Sequence, residues 1–425
     1  MDAEDGRENE RVNLADDPSN RAMVQIVLHL LPREILLDIL SRLPITSLIH
    51  FKTTSHTGYD LIADPILPPM FCNRVSNSNP CLILFNYKSR VSVSQQLYFL
   101  DGEGCGRRVR KIDPPQHLKA YKLVGSCNGL LCVCDPTIAY PRLDDSWASD
   151  ALLIYNPFVG DAVRIPPGDQ FCQSIEVFGF GFHPRTGEFK VVRIVYYQKM
   201  IIVGDPPLDV EDLDGAFDTV EESMVEVFTV GTTEWRNKGA PPPPLAFQSG
   251  PPSALVEGSL HWVTLVGRGG VHPIIGIISF ELADEVFEEI PHPPCQRFVS
   301  RNYSLSVLNG CLSAVGSFET EHFDIWVMKQ YRVKESWVKQ FSFDPYLPRG
   351  WPVNTSSSVS RVSKIICALK NGEILLQYTN SSLVSYDPVE NRFKTLQISG
   401  LPNQSQAVPF LPSLFSAKAT MNLQF

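Results

Sequence analysis

The sequence lacks any long apolar run. Its most sustained one, Val24 to Leu31, is broken by Gln25 and His29 and falls far short of the roughly 20 residues that cross a bilayer. It also lacks a basic excess. Lysine and arginine number 37 against 46 aspartates and glutamates, a net charge of −9. That removes the simplest electrostatic case for a nucleic-acid partner, because phosphate neutralisation needs a basic surface. The opening MDAEDGRENE is acidic where an export signal is basic and then apolar. The expectation is therefore a protein of the cytoplasm and/or nucleus, without a membrane partner. Its ten cysteines then read as reduced thiols. None has the C-x2-C spacing of a zinc site; the tightest group, Cys127, Cys132 and Cys134, is C-x4-C-x-C. These thiols are read as small core hydrophobes, and no metal or cofactor is expected.

Proline is abundant instead: 34 in 425 residues, against about 5% in average usage. Each proline removes an amide donor and clashes with the preceding helical turn. An all-helical solenoid or a coiled coil is excluded. With 44% apolar and 20% charged residues, the chain has the material for a sizeable core.

Residues 1 to 25 are polar and acidic, and read as a disordered tail. The next stretch, LLPREILLDILSRLP, places Leu31, Ile35, Ile39 and Leu43 at i, i+4 steps with Leu36 and Leu40 beside them. That spacing predicts an amphipathic helix. Pro44 ends it and opens a second, ITSLIHF. A third, around Tyr59 to Ile62, must stop near Asp64 because Pro65 follows. Three short helices cannot build a self-sufficient core, so an apolar face is expected to meet a partner.

The run LPREILLDILSRLPITSLIHFK, followed by LIADP, resembles an F-box, the module that docks on a Skp-type adaptor in cullin-based ubiquitin ligases. The match rests on Leu31-Pro32, Ile39-Leu40, Arg42-Leu43-Pro44, Leu48, Phe51-Lys52, Leu61-Ile62 and Asp64-Pro65. The resemblance implies an F-box over residues 28 to 70, with Leu31, Pro32, Leu36, Leu40, Leu43, Pro44 and Leu48 as adaptor contacts. It departs from the family at Thr53-Thr54-Ser55 and at Gly58, which stands where a tryptophan is usual. On that alignment, Gly58→Trp is expected to strengthen the module.

Past Pro69 the pattern has period two. Six pieces align in one register: QLYF, LLIY, VEVF, IISF, FDIW and LVSY, ending in Phe99, Tyr155, Phe228, Phe280, Trp326 and Tyr386 and spaced 46 to 73 residues apart. Most run into a turn and another strand. Asn128-Gly129, Glu257-Gly258, Asn309-Gly310 and Asn371-Gly372 mark further tight turns upstream. Four-stranded units at this spacing predict a β-propeller. The fold class is thus mainly β, helices followed by a propeller of six blades, with five and seven left open by the short first unit. The stretches GSCNGLLCV, IYNPFVGDAVRIP, GFGFHPRTGEFKVV and LVEGSLHW are similar to the F-box associated, kelch-like domain of plant F-box proteins, which would occupy residues 80 to 425.

Catalytic signatures are thin. GSCNG at Gly125–Gly129 is better read as a turn than as a nucleophile elbow. GRGG at Gly267–Gly270 lacks the lysine of a phosphate loop. Asp144-Asp145 lies in a polar stretch, and His261-Trp262 within a strand. The resemblance therefore implies a non-catalytic receptor. It would bind a Skp-type adaptor, and through it a cullin, while the propeller holds an unknown protein target. The alternative is a propeller-based glycosidase or carbohydrate-binding protein with a helical cap. The acidic insertion Asp205 to Ser223 supplies candidate target contacts, Asp209, Glu211, Asp212 and Asp214.

Overall fold

The computed structural model describes residues 30–75, 79–86, 96–102, 109–112, 122–134, 152–168, 174–198, 220–239, 254–266, 274–294, 304–317, 322–344, 346, 362–378, 382–401 and 405–418. The acidic tail, Asp144-Asp145, Gly267–Gly270 and residues 205–219 of the acidic insertion, with Asp209, Glu211, Asp212 and Asp214, lie outside them, while its last residues, Val220 to Ser223, belong to a strand rather than to the insertion. The chain divides into two compact units, Met1–Arg74 and Val75–Phe425.

In the first unit, α1 spans Arg33–Ser41, α2 Ile45–Thr54, α3 His56–Ile62 and α4 Leu67–Val75. Pro32 and Pro44 occupy the cap positions of α1 and α2, where a missing amide costs nothing. The fourth helix departs from the expected three. Pro68 and Pro69 fall in its first turn, where they start a helix rather than break one. Leu36, Leu37, Leu40, Ile45, Leu48, Leu61, Ile62, Leu67 and Phe71 are buried, and they form the core of this unit.

The second unit contains six four-stranded sheets, the blades of a propeller. Blade 1 holds β1 (Cys81–Asn86), β2 (Leu97–Leu100) and β3 (Arg110–Ile112). Blade 2 holds β4 (Lys122–Cys127), β5 (Leu130–Cys134), β6 (Leu152–Tyr155) and β7 (Ala162–Ile165). Blade 3 holds β8 (Ser174–His183), β9 (Glu188–Gln198), β10 (Val220–Thr229) and β11 (Arg236–Asn237). Blade 4 holds β12 (Ala254–Val256), β13 (Ser259–Val266), β14 (Ile274–Glu281) and β15 (Val286–Ile290). Blade 5 holds β16 (Ser304–Leu308), β17 (Cys311–Ser317), β18 (Phe323–Met328) and β19 (Trp337–Phe343). Blade 6 holds β20 (Val362–Ala368), β21 (Ile374–Tyr378), β22 (Leu383–Asp387) and β23 (Arg392–Thr395).

The ring closes through the C-terminus. β24 (Ser405–Phe410) pairs antiparallel with β1, completing the order β24-β1-β2-β3. Neighbouring sheets meet at their first strands, β4 with β8, β12 with β16, β16 with β20, β20 with β24 and β24 with β4, so those strands form the inner ring. The six repeated pieces of the sequence are the third strand of each blade. Their terminal aromatics pack across the next turn: Phe280 meets Phe287 at 4.8 Å and Tyr386 meets Phe393 at 4.7 Å between centroids. Turns between first and second strands have the positive φ their residues predict, at 47° and 78° for Asn128-Gly129 and 50° and 78° for Asn309-Gly310.

Each sheet is buried on both faces, because a blade packs between two others. Val124, Ile154, Phe180 and Phe228 fill one such layer, between blades 2 and 3. Val192, Tyr196, Leu260 and Phe280 fill the next. Fully burying each such side chain stabilises the fold by about 1.5–3 kcal/mol.

Candidate interaction sites

The helical unit shows how its surface is built. Helix α1 is apolar on two sides. Leu36, Leu37 and Leu40 face the core at 7%, 3% and 5% exposure, while Ile35, Ile39 and Leu43 form an i, i+4, i+8 row exposed at 48%, 44% and 36%. Leu30, Tyr59 and Ile66 add further exposed apolar surface. Of the seven residues named as adaptor contacts, Leu36, Leu40 and Leu48 are thus core. Leu31 is half-buried, and Pro32, Leu43 and Pro44 are exposed. Ile35 and Ile39, which spacing alone groups with the buried stripe, are the exposed ones. Helical periodicity finds an apolar row but cannot say which of two adjacent rows faces inward.

The frame under this row is held by polar contacts. Arg33 donates from Nε to Asp64 Oδ2 at 2.7 Å, and the Ile66 amide donates to Asp64 Oδ1 at 2.8 Å. The hydrogen bond from Ile66, aided by Arg33, holds the Asp64 carboxyl below its ordinary range against the opposing effect of burial. The Asp64-Pro65 step of the motif is therefore a joint that fixes the end of α3 against α1. Ser55 caps α3, its Oγ accepting from the Gly58 amide at 3.0 Å.

Gly58 is itself buried, and a Cβ added there would lie 2.5 Å from the Phe51 carbonyl oxygen and 3.1 Å from Ser55 Oγ. The expectation that tryptophan would fit is overturned. The backbone of α2 occupies the space an indole would need.

The propeller has two unlike ends. Connections between second and third strands run from Asn86 to Leu97, Cys134 to Leu152, Gln198 to Val220, Val266 to Ile274, Ser317 to Phe323 and Tyr378 to Leu383. The opposite end carries the tight turns at Asn128-Gly129, Pro184–Gly187, Glu257-Gly258 and Asn309-Gly310. Alternate connections of an antiparallel meander start from opposite ends, so the strand ends that flank the longer connections lie on one side. Asp209, Glu211, Asp212 and Asp214 fall in the longest of these connections, between β9 and β10, outside the described residues.

Blade 3 carries a charged cluster on each face. Arg193 donates from Nε and Nη2 to Glu176 at 2.9 and 2.6 Å, and from Nη1 to Glu226 at 2.8 Å. All three side chains are under 8% exposed, and the bidentate geometry makes a fixed strut across β8, β9 and β10. On the other face of the sheet, Glu285 of blade 4 receives Lys190 at 2.9 Å, Arg236 at 3.0 Å and Lys238, all from blade 3. Burial opposes its charge, but hydrogen bonds from Lys238, Lys190 and Arg236 outweigh it and hold the carboxyl at about 2. His183 Nδ1 accepts from the Thr186 amide at 3.2 Å while Nε2 meets Glu281 at 2.9 Å. His261 is fully buried against Tyr331, 2.9 Å from its hydroxyl, and burial drives its pKa down to about 4. Each of these side chains is held by the partners named, within or between blades. Among the described residues, no group of three or more histidine, cysteine, aspartate or glutamate side chains could hold a metal, and no helix is long and apolar enough to cross a membrane.

The described residues thus form a helical unit with an exposed apolar row and a six-bladed propeller. Comparison with known proteins gives the family. A model of the F-box domain matches residues 28–68, and a model of the F-box associated beta propeller domain matches residues 84–421. The chain is 34% identical to the Arabidopsis thaliana F-box protein At3g07870 over 397 residues, covering 88% of each chain. It is 25% identical to the F-box protein CPR1 of the same plant, over 90% of this chain and 88% of that one. The F-box/kelch-repeat protein At3g23880, also from Arabidopsis thaliana, is 23% identical over 74% of this chain and 79% of its own length. The chain belongs to the family of F-box proteins that carry an F-box associated β-propeller domain.

Proposed function

We propose that this protein is the target-receptor subunit of a Skp-cullin-F-box (SCF-type) ubiquitin ligase, acting in the cytoplasm and/or nucleus of a plant cell. The helical unit docks on a Skp-type adaptor, and through it a cullin. The propeller holds a protein target at its long-loop end. The observation that carries this reading is the exposed row of Ile35 and Ile39 on α1, continued by Leu43 just past its end, beside a row already buried in the core. An exposed apolar stripe on so small a unit is the surface a partner would cover.

The mechanism is proximity. Holding a target beside a conjugating enzyme converts a bimolecular encounter into an effectively intramolecular one, which raises the local concentration of target lysines. The chain supplies no catalytic group in this scheme and needs no cofactor. Long loops on a rigid scaffold suit recognition, since their sequences vary without disturbing the core. Co-purification of a Skp-type adaptor with the full chain, and its loss on deleting residues 31 to 65, is the expected outcome. Retention of the adaptor by the deleted chain would refute the assignment.

A further inference from the structure

We infer that the long-loop end of the interface between blades 6 and 1 is a binding subsite for a single oxyanion, a carboxylate or phosphate group, with Lys364 supplying charge and Ser405 a hydrogen-bond donor. Lys364 is the third residue of β20 and Ser405 the first of β24, so both lie near the end where the long connections gather. The two strands are neighbours in the inner ring.

Register brings the two side chains to one face. Lys364 pairs directly with Gln377 of β21, and cross-strand partners in an antiparallel ladder project their side chains to the same side. Gln377 shows which side that is. Its Nε2 donates to the Ser405 carbonyl at 2.8 Å and its Oε1 accepts from the Ala407 amide at 3.0 Å. Below them the interface is closed by Leu82, Leu84, Ile366, Leu375 and Ala407. Lys364 is thus directed toward β24, above an apolar floor.

Among the described residues, neither polar group has a partner. No described hydrogen bond or ion pair reaches the Lys364 amino group. Burial alone acts on it, pushing its pKa down to about 8. The residue as a whole nonetheless keeps intermediate exposure. Ser405 is 4% exposed and its Oγ has no hydrogen-bond partner. A crowded ammonium without a counter-charge and an orphaned hydroxyl are each unfavourable. One oxyanion between them would relieve both, through charge-assisted hydrogen bonds from Nζ and Oγ. The net charge of −9 disfavours anions at long range, so selectivity must come from this local pair.

The inference concerns the propeller alone, and its test needs neither an adaptor nor a target, so it can fail without touching the reading above. Lysines of the full-length protein are labelled with a trace of acetic anhydride and quantified one by one by mass spectrometry. Labelling is done in sodium chloride and in inorganic phosphate or acetate at matched ionic strength. Saturating phosphate should slow labelling of Lys364 by about threefold or more while leaving exposed lysines such as Lys370 and Lys394 unchanged. The protection should disappear in Ser405→Ala, whose Lys364 remains available as the reporter. Protection by both anions assigns a general oxyanion site, and protection by phosphate alone a phosphate site. Equal labelling of Lys364 in chloride, phosphate and acetate would overturn the proposal. Full protection surviving in Ser405→Ala would overturn the role given to the hydroxyl.

Discussion

Glu285 ties blade 4 to blade 3, and acid should weaken that tie as its carboxylate takes up a proton. Its carboxylate is 4% exposed and receives Lys190, Arg236 and Lys238. A carboxyl held at about 2 instead of its ordinary 4.5 corresponds to about 3 kcal/mol of folding free energy. Two of the cations are partly exposed, Arg236 at 46% and Lys238 at 31%, and solvent screening brings the figure to about 1–2 kcal/mol. Because the folded pKa is depressed, this stabilisation is present above 4.5 and is lost as pH falls from 4.5 toward 2. Glu285→Gln keeps the shape and one acceptor but removes the charge, leaving Lys190 with Glu188 at 3.2 Å and the Leu282 carbonyl at 2.6 Å. Urea unfolding of wild type and variant should show a gap of about 1–2 kcal/mol near neutral pH that narrows steadily below 4.5. Other carboxylates titrate in both proteins, so the difference between the curves isolates this one. A gap that stayed constant into strong acid would refute the argument, and so would no gap at neutrality.

Gly58→Ala should lower the melting temperature of the helical unit, because the new Cβ meets the Phe51 carbonyl at 2.5 Å; overpacking of this kind costs about 1–3 kcal/mol, and Gly58→Trp should cost more. Asn156→Ala should release the C-terminal segment, since Asn156 is fully buried, donates to the Ser413 and Phe415 carbonyls at 3.1 and 2.7 Å and accepts from the Phe158 amide. Faster hydrogen exchange at residues 411–418 and a loss of about 2–4 kcal/mol are the expected readings. Neutralising Asp209, Glu211, Asp212 and Asp214 to asparagine or glutamine should slow capture of a basic target at low ionic strength, an effect that fades with salt and leaves adaptor binding unchanged. Stopped-flow association with the identified target measures it.

The blade pattern was legible because each third strand ends in an aromatic that must pack across a turn, as Phe280 does on Phe287. The turns were legible because Asn-Gly tolerates positive φ. Closure of the ring was not. β24 contains Pro409, paired opposite Leu82, and proline argues against a strand. The residue is tolerated because β24 is the inner edge of its sheet, with no further strand asking for its amide. The buried charges were equally hidden. In EFKVVRIVYY, Lys190 and Arg193 project to opposite faces and each finds carboxylates across the blade. A one-sided sheet would have sent one of them to water. At the helical unit the motif was plain, but α1 is apolar on both sides, and only the packed core separates Leu40 from Ile39.

The most direct test of the receptor assignment is the affinity of a purified Skp-type adaptor for the full chain carrying Ile39→Asp, measured by calorimetry beside wild type. Ile39 is 44% exposed, so the substitution should leave the fold within about 0.5 kcal/mol of wild type, as thermal unfolding can confirm. Burying an unpaired carboxylate in the proposed interface should weaken binding by about a hundredfold or more. Unchanged affinity in a folded Ile39→Asp protein would contradict the account.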